Sequence, residues 1–362
     1  MKLFDVGAMR PAADDARLSA ANDLVQRTLA QHGLMPGTDA SQSTGLHTGG
    51  LPGMDGLMAQ LSQAGTRTAP VKIQIPEGAQ FLQDTYASPA GSRMHRTYIP
   101  ASADAGVSGV IMMLHGCTQS PEDFAAGTGM NELAEEHGFV VIYPAQSRGD
   151  NAQSCWNWFS RGDQRRDRGE PAILAGMASR VCAEHGIDRD QTFVAGLSAG
   201  GAMAAILGET YPDVFSAVGA HSGLSVGAAK DVPSAFAAMG GTILDAPTRP
   251  RNGPSVRTIV FHGTADATVN PKNGESIMRR ALDSNARQSI ETREKGHANG
   301  RNFSRVISSD ETGAAVVEHW RIDGQGHAWS GGSTNGSYTD PKGPDASAEM
   351  VRFFFDKSDE VN

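Results

Sequence analysis

Two pentapeptides in this 362-residue chain set a serine between glycines, Gly196-Leu197-Ser198-Ala199-Gly200 and Gly223-Leu224-Ser225-Val226-Gly227. A serine hydroxyl is a poor nucleophile until a base takes its proton and N–H groups stabilise the oxyanion that forms. A sharp strand-to-helix turn helps with the second need, because it exposes the side chain above a helix N-terminus whose N–H groups point outward. Both pentapeptides follow an apolar stretch, so the pattern alone does not choose between them. The flanks do. Ser198 follows the run TFVA and precedes Gly200, Gly201, Ala202, Ala204 and Ala205, small residues that let a helix pack closely under the turn. Ser225 is followed by AAKDVPSA, where proline interrupts the helix soon after its start, and it reads as a surface loop after a strand. Ser198 is the expected nucleophile.

The base should be an imidazole oriented by an acid. On sheets carrying such a turn, acid and histidine follow the serine in that order. Asp266, in HGTADATVNP directly after the strand TIVF, is the expected acid. Asp310, Asp323 and Asp340 follow no comparable strand and read as solvated loop acids. His327, in DGQGHAWSGG after VVEHWRI, is the expected base, since glycines on both sides let a loop present its ring. Of the rivals, His319 lies inside a strand, His297 sits in a charged loop with no strand before it, and His262 packs under the Asp266 loop. Leu114-His115-Gly116-Cys117-Thr118 follows VIMM and resembles the His-Gly loop that supplies one oxyanion donor in ester hydrolases. The expected loop donor is the N–H of Cys117, and the expected second donor is the N–H of Ala199, the residue after the nucleophile. Cys117 as a nucleophile lacks the turn context.

Cys117, Cys155 and Cys182 are too few, and odd in number, for a disulfide framework. Two readings stay open: three free thiols, or one Cys117–Cys155 bridge, both residues lying beside site motifs. No H-x-x-x-H or C-x-x-C spacing occurs, nor a phosphate- or dinucleotide-binding glycine pattern in a convincing context, so neither metal nor cofactor is expected. Cys155-Trp156-Asn157-Trp158-Phe159 is an aromatic cluster in a chain with four tryptophans, and Trp329 follows His327 by two residues. Flat aromatic faces suit apolar ester units, phenolic rings or sugars. Trp156, Trp158 and Trp329 are therefore the candidate substrate-binding residues, packing of a loop core being the alternative. SRGDQRRDRGE, after the cluster, reads as a solvated loop.

These side chains need a frame to bring them together. GVIMMLHG and GFVVIYPA are short apolar runs that read as strands, TFVAG, FSAVGAHSG, VRTIVFHG and VVEHWRID read as further strands, and SRMHRTYIPAS as an earlier alternating one. Between or after them NELAEEHG, AILAGMASRVCAEHG, GGAMAAILGETYP, GESIMRRALDSN and SAEMVRFFFDKS read as helices. Continuous apolar strands alternating with helices predict an α/β domain, a mostly parallel sheet with helices on both faces, over residues 71–362. Residues 1–70 differ. Leu18, Ala21, Val25 and Leu29 recur at helical spacing, and the Gly/Ser/Thr/Pro-rich stretch after them predicts a flexible linker.

With 39% hydrophobic and 20% charged residues the chain is globular, and its net charge of −9 argues against nucleic acid or anionic membrane as a partner. No apolar run reaches transmembrane length. The first residues, MKLFDVGAMRPAADDARLSA, lack the apolar core of a secretory signal, which favours the cytoplasm unless another export route operates.

Taken together, LHGCTQSPEDFA, SCWNWF, GLSAGGAMA, HGTAD and GQGHAWSGG resemble the polyhydroxybutyrate depolymerase family of esterases, with its feruloyl and acetylxylan esterase relatives. The resemblance covers roughly residues 75–355. It implies an α/β-hydrolase fold, a Ser198–Asp266–His327 triad, an oxyanion hole at Cys117 and Ala199, and hydrolysis of short-chain polyester or aryl ester bonds. The family is mostly extracellular, in contrast to the opening residues. Members that attack crystalline polymer often carry a further binding domain, whereas here the chain ends soon after its last helix. The expected substrate is therefore an ester of 3-hydroxybutyrate, as oligomer or amorphous polymer, with feruloyl or acetylxylan ester as the alternative. A non-catalytic polymer- or carbohydrate-binding protein is the reading from another class, and the complete order of serine, acid and histidine argues against it.

Overall fold

The structure, a computed structural model, describes residues 73–242, 254–285 and 290–356. The amphipathic helix and linker expected in residues 1–70 lie outside the described residues.

A ten-stranded sheet dominates, in the order β1-β2-β4-β3-β5-β6-β7-β10-β9-β8. Its centre is parallel and runs through β4 (Val140–Pro144), β3 (Val110–Leu114), β5 (Thr192–Leu197), β6 (Ala217–His221), β7 (Arg257–Gly263) and β10 (Ala315–Ile322). β3 to β6 are buried along their whole length, as continuous apolar strands must be when helices cover both faces.

The pleat sorts their side chains into two cores. Val110, Met112 and Leu114 face the layer of α3 (Gly169–His185) and α4 (Ala199–Thr210), while Ile111 and Met113 face that of α1 (Pro121–Thr128), α2 (Met130–His137) and α7 (Ala346–Phe355). α5 (Val232–Met239) packs with the first layer through Ala235 and Ala238, and α6 (Lys272–Asn285) sets Ile277 against Ala220 and Val260.

Antiparallel hairpins finish both edges, and only one of their four strands was expected. β1 (Gln80–Ser88) pairs with β2 (Gly91–Ile99), and β8 (Ile290–Ala298) with β9 (Arg301–Ser309). β1 and β8 are exposed along most of their length, and neither carries an apolar run. The signal for the second hairpin was its turn. Asn299 (φ 44°) and Gly300 (φ 81°) form the two-residue loop, and Asn-Gly is the pair that adopts two successive positive φ values most readily. His297, expected in a loop, is therefore a strand residue of β8.

Two other expectations change. Pro233 does not interrupt a helix but lies in the first turn of α5, whose N-cap Asp231 accepts from Ser234 N. Ser225 is not on a surface loop. It is buried, with its Oγ 2.9 Å from Ser276 Oγ.

Candidate active site

Strand ends on one side of the sheet carry every residue expected in the chemistry. Ser198 follows β5, Cys117 lies beyond β3, Asp266 beyond β7 and His327 beyond β10. Parallel neighbours end on the same side, so loops far apart in sequence meet there.

Ser198 caps α4 with φ 57° and ψ −117°, a conformation costly for a residue with a Cβ. The close packing that enforces it shows at two glycines. A Cβ on Gly200 would lie 2.0 Å from Leu114 O, and one on Gly196 would lie 2.5 Å from Gly200 backbone. The small residues after Ser198 thus reflect contact between the elbow and the end of β3. The Ser198 N–H donates to His221 O at 2.9 Å, tying the elbow to β6.

His327 Nδ1 lies 2.8 Å from Asp266 Oδ2. An ionised carboxylate only accepts, so Nδ1 carries the proton and Nε2 keeps the lone pair that a general base needs. Asp266 Oδ1 accepts from the N–H groups of Thr268 (3.0 Å) and Val269 (2.8 Å), and His262 Nε2 lies 3.4 Å from Oδ2. Burial works against ionisation of Asp266. The charge of His327 and the hydrogen bonds from His262 and His327 outweigh it and hold the carboxyl well below the usual carboxylate range. The rivals are engaged elsewhere: Asp340 pairs with Arg301, and Asp310 closes its own turn onto Thr312.

Sequence reasoning missed His221. Its carbonyl takes the Ser198 N–H and its Nε2 takes the N–H of Ser330 at 3.1 Å, so one residue pins the nucleophile elbow and the His327 loop. Its ring stacks between Phe261 (5.8 Å) and Trp329 (5.1 Å). Burial, with His262 and His327 nearby, lowers its pKa to about 3 and keeps it neutral, as an acceptor at Nε2 must be.

The Cys117 loop is held from several sides. Cys117 and Cys155 form a disulfide, which closes the choice left open by the sequence, and Cys182 is a buried free thiol. Gly116 N donates to Gln119 Oε1 and Thr118 N to Gln153 O. Among the described residues the N–H of Cys117 meets no protein acceptor. His115 Nε2 accepts from Gln146 N (3.1 Å), which leaves Nδ1–H to donate to Gly116 O (2.7 Å). The bridge closes a 38-residue separation, for which loop-closure entropy gives about 4 kcal/mol. Joint replacement Cys117→Ser, Cys155→Ser should lower unfolding stability by about 2–4 kcal/mol in urea titration. It should also lower kcat more than raise KM. Unchanged kinetics would mean that Gln119, Gln146 and Gln153 hold the loop without the bridge.

Behind that loop lies Glu170, also missed, buried at 3% exposure at the start of α3. It accepts from Asn157 N (2.7 Å), Asn157 Nδ2 (2.8 Å) and Gln146 Nε2, and Arg93 lies 3.5 Å away. Gln146 Nε2 also donates to Cys155 O at 3.0 Å, which connects the carboxylate to the bridge. Burial and the neighbouring Asp163 raise the Glu170 pKa to about 7, against the pull of Asn157, Arg93 and Gln146. A folded pKa above the ordinary 4.5 favours folding below pH 4.5, and that contribution is lost as pH rises through about 7. Relative to Glu170→Gln, the wild type should lose on the order of 3 kcal/mol across that window. Urea titrations of both proteins across it would read the difference, and parallel curves would rule out the shifted titration.

Trp156, Trp158 and Trp329 correct an expectation. They are 0%, 6% and 1% exposed and form loop core, not a substrate face. Trp156 donates from Nε1 to His115 O (3.1 Å), Trp158 packs edge-on to Phe159, and Trp329 donates from Nε1 to Ser347 Oγ (3.0 Å) while stacking on His221. Their apolar area supports the site loops from beneath. The charged segment after the cluster is mostly exposed until Glu170. Among the described residues no group of three or more histidine, cysteine or carboxylate side chains could hold a metal ion, and no helix is long and apolar enough to cross a membrane.

A strained serine at a strand-to-helix elbow, with an acid and a histidine on later strand ends of a mostly parallel sheet, defines an α/β-hydrolase fold. An acetyl xylan esterase from Aspergillus awamori shares it, with a TM-score of 0.61 at 21% identity over 76% of this chain and 98% of that one. A model of the Esterase PHB depolymerase family matches residues 94–302, and the chain belongs to that family. It is 30% identical over 273 residues to poly(3-hydroxyalkanoate) depolymerase C of Paucimonas lemoignei, covering 72% of this chain and 64% of that protein. With a probable acetylxylan esterase A of Neosartorya fischeri it shares 29% over 168 residues, 46% of this chain and 44% of that one. The chain thus spans less than two thirds of the length of either relative.

Proposed function

We propose that the protein is a serine carboxylic ester hydrolase acting on esters of short-chain hydroxyalkanoates, such as 3-hydroxybutyrate oligomers or amorphous polymer. The observation that carries the reading is the 2.8 Å Asp266–His327 hydrogen bond, on strand ends at the same side of the sheet as the strained Ser198. In the proposed reaction Ser198 Oγ bonds to the ester carbonyl carbon as its proton passes to His327 Nε2. The carbonyl oxygen becomes an oxyanion, which the N–H groups of Cys117 and Ala199 stabilise. Collapse breaks the bond to the alkoxy oxygen, which takes the proton from His327. A water then attacks the acyl-enzyme with His327 again as base, releasing the acid and restoring Ser198.

Family membership and the Paucimonas lemoignei relative, by its name a poly(3-hydroxyalkanoate) depolymerase, support hydroxyalkanoate esters. A second reading, acetylated xylan or a feruloyl ester, is favoured by relatives in sequence that are by name an acetylxylan esterase and a feruloyl esterase. A fluorophosphonate probe followed by peptide mapping tests the nucleophile, and label on Ser198 is the expected result. No label would revive a non-catalytic binding protein. A hydrolysis panel of 3-hydroxybutyrate oligomers, amorphous polymer, methyl ferulate and acetylated xylan tests the substrate. The highest kcat/KM should fall on the hydroxybutyrate esters. A maximum on ferulate or acetylated xylan would transfer the proposal to the second reading.

A further inference from the structure

Among the described residues, seven that are not glycine have positive φ, and Thr118 (66°) and Tyr338 (51°) are the β-branched and the aromatic one, the types that tolerate it least. They lie 220 positions apart in sequence yet touch, Thr118 Oγ1 standing 3.3 Å from Tyr338 OH. Such strain persists only where the surroundings over-determine it. Here they do. Thr118 follows the bridged Cys117 and donates from its N–H to Gln153 O at 2.8 Å. Tyr338 O accepts from Trp329 N at 2.7 Å, and Ser337 N donates to Asp123 Oδ1 at 2.9 Å. The Tyr338 ring stands edge-on to His327, with centroids 6.5 Å apart and planes at 79°. Tyr338 is only half-buried and Thr118 is exposed, whereas the three tryptophans are enclosed.

Resting on the ester-hydrolase reading above, we propose that Thr118 and Tyr338 form the wall against which the alcohol portion of the ester lies, and that Tyr338 sets selectivity among alcohols. The reason lies in the proton transfers. His327 delivers its proton to the departing alkoxy oxygen, so the alcohol leaves beside His327, where the Tyr338 ring packs. Thr118 continues the loop from Cys117, so its hydroxyl extends the wall toward the carbonyl-oxygen side. The pair offers an apolar ring and, since one hydroxyl donates to the other, one hydroxyl proton that can be donated to a substrate. It suits an alcohol with an apolar body and a carbonyl acceptor of its own, as a hydroxyalkanoate unit has.

Two variants test this. Tyr338→Asn removes the ring while keeping a residue that accepts positive φ. Tyr338→Phe keeps the ring and removes the contact with Thr118. One series of substrates holds the acyl group as butyryl and varies the alcohol: ethanol, 4-nitrophenol and 3-hydroxybutyrate. A second series holds 4-nitrophenol and varies the acyl chain. Tyr338→Asn should shift the kcat/KM ratio of the 3-hydroxybutyrate ester to the ethyl ester by on the order of ten-fold. Ratios along the acyl series should be kept. Tyr338→Phe should shift the first ratio less and in the same direction. An equal fall for every ester would show that Tyr338 merely steadies His327, and a shift confined to the acyl series would place the wall on the wrong side of the ester. Either result overturns the proposal. Fluorophosphonate labelling of the wild type separates the two readings: no label on Ser198 defeats the hydrolase, while label with unchanged alcohol ratios defeats only the role of Tyr338.

Discussion

Ser198→Ala should lower kcat on 4-nitrophenyl butyrate by roughly 10⁴-fold or more, with little change in KM or unfolding stability. In the proposed mechanism, removing the hydroxyl takes away the atom that forms the acyl-enzyme, while the backbone N–H groups of Cys117 and Ala199 would remain to polarise the carbonyl. A small residual rate is therefore expected rather than none. The fold should tolerate the change, because alanine is a subset of serine in shape and the elbow is set by backbone contacts among Gly196, Gly200 and Leu114. Retained turnover, with the variant folded by circular dichroism and urea titration, would remove Ser198 from the chemistry and direct attention to Ser225, whose Oγ contacts Ser276.

Asp266→Asn should cost on the order of 10⁴-fold in kcat, by a different route. An asparagine oxygen in place of Oδ1 can still accept from Thr268 N and Val269 N, so the turn after β7 survives. Its amide nitrogen then replaces Oδ2 and faces His327 Nδ1 as a donor. That forces the ring proton onto Nε2, the nitrogen required as base. His262 Nε2, 3.4 Å from Oδ2, would face the same donor, although it retains Val269 O as an acceptor at 2.8 Å. The loss should be nearly all in kcat and should ease as hydroxide becomes available to take the serine proton directly. A pH–rate profile reads this. A variant with wild-type kcat at neutral pH would show that another group orients His327.

Much of the frame was legible because parallel strands buried on both faces are apolar, and β3, β4, β5, β6 and β7 announce themselves as short apolar runs, whereas β10 buries Glu318 and His319 among its apolar residues. The outer strands were not. β1 and β8 gain their structure from pairing with one neighbour while most of their side chains stay in water, so periodicity says little about them. Only the Asn299-Gly300 turn marked the second hairpin locally.

The site divides along similar lines. The sequence by itself determined the elbow, because the steric demand at Gly196, Ser198 and Gly200 is local and only small residues meet it. It also determined the order in which the candidate serine, acid and histidine occur, in loops after β5, β7 and β10. Tertiary structure alone decided what those loops rest on. Whether Cys117 meets Cys155 depends on two loops converging, and spacing along the chain does not encode that. A tryptophan beside a catalytic motif is equally able to face a ligand or the core, and only the packing around His115 and His221 turned Trp156 and Trp329 inward. Glu170, His221 and Tyr338 carry no motif at all. Their importance comes from partners tens to hundreds of positions away, brought within hydrogen-bonding or van der Waals distance by strand order and side-chain packing.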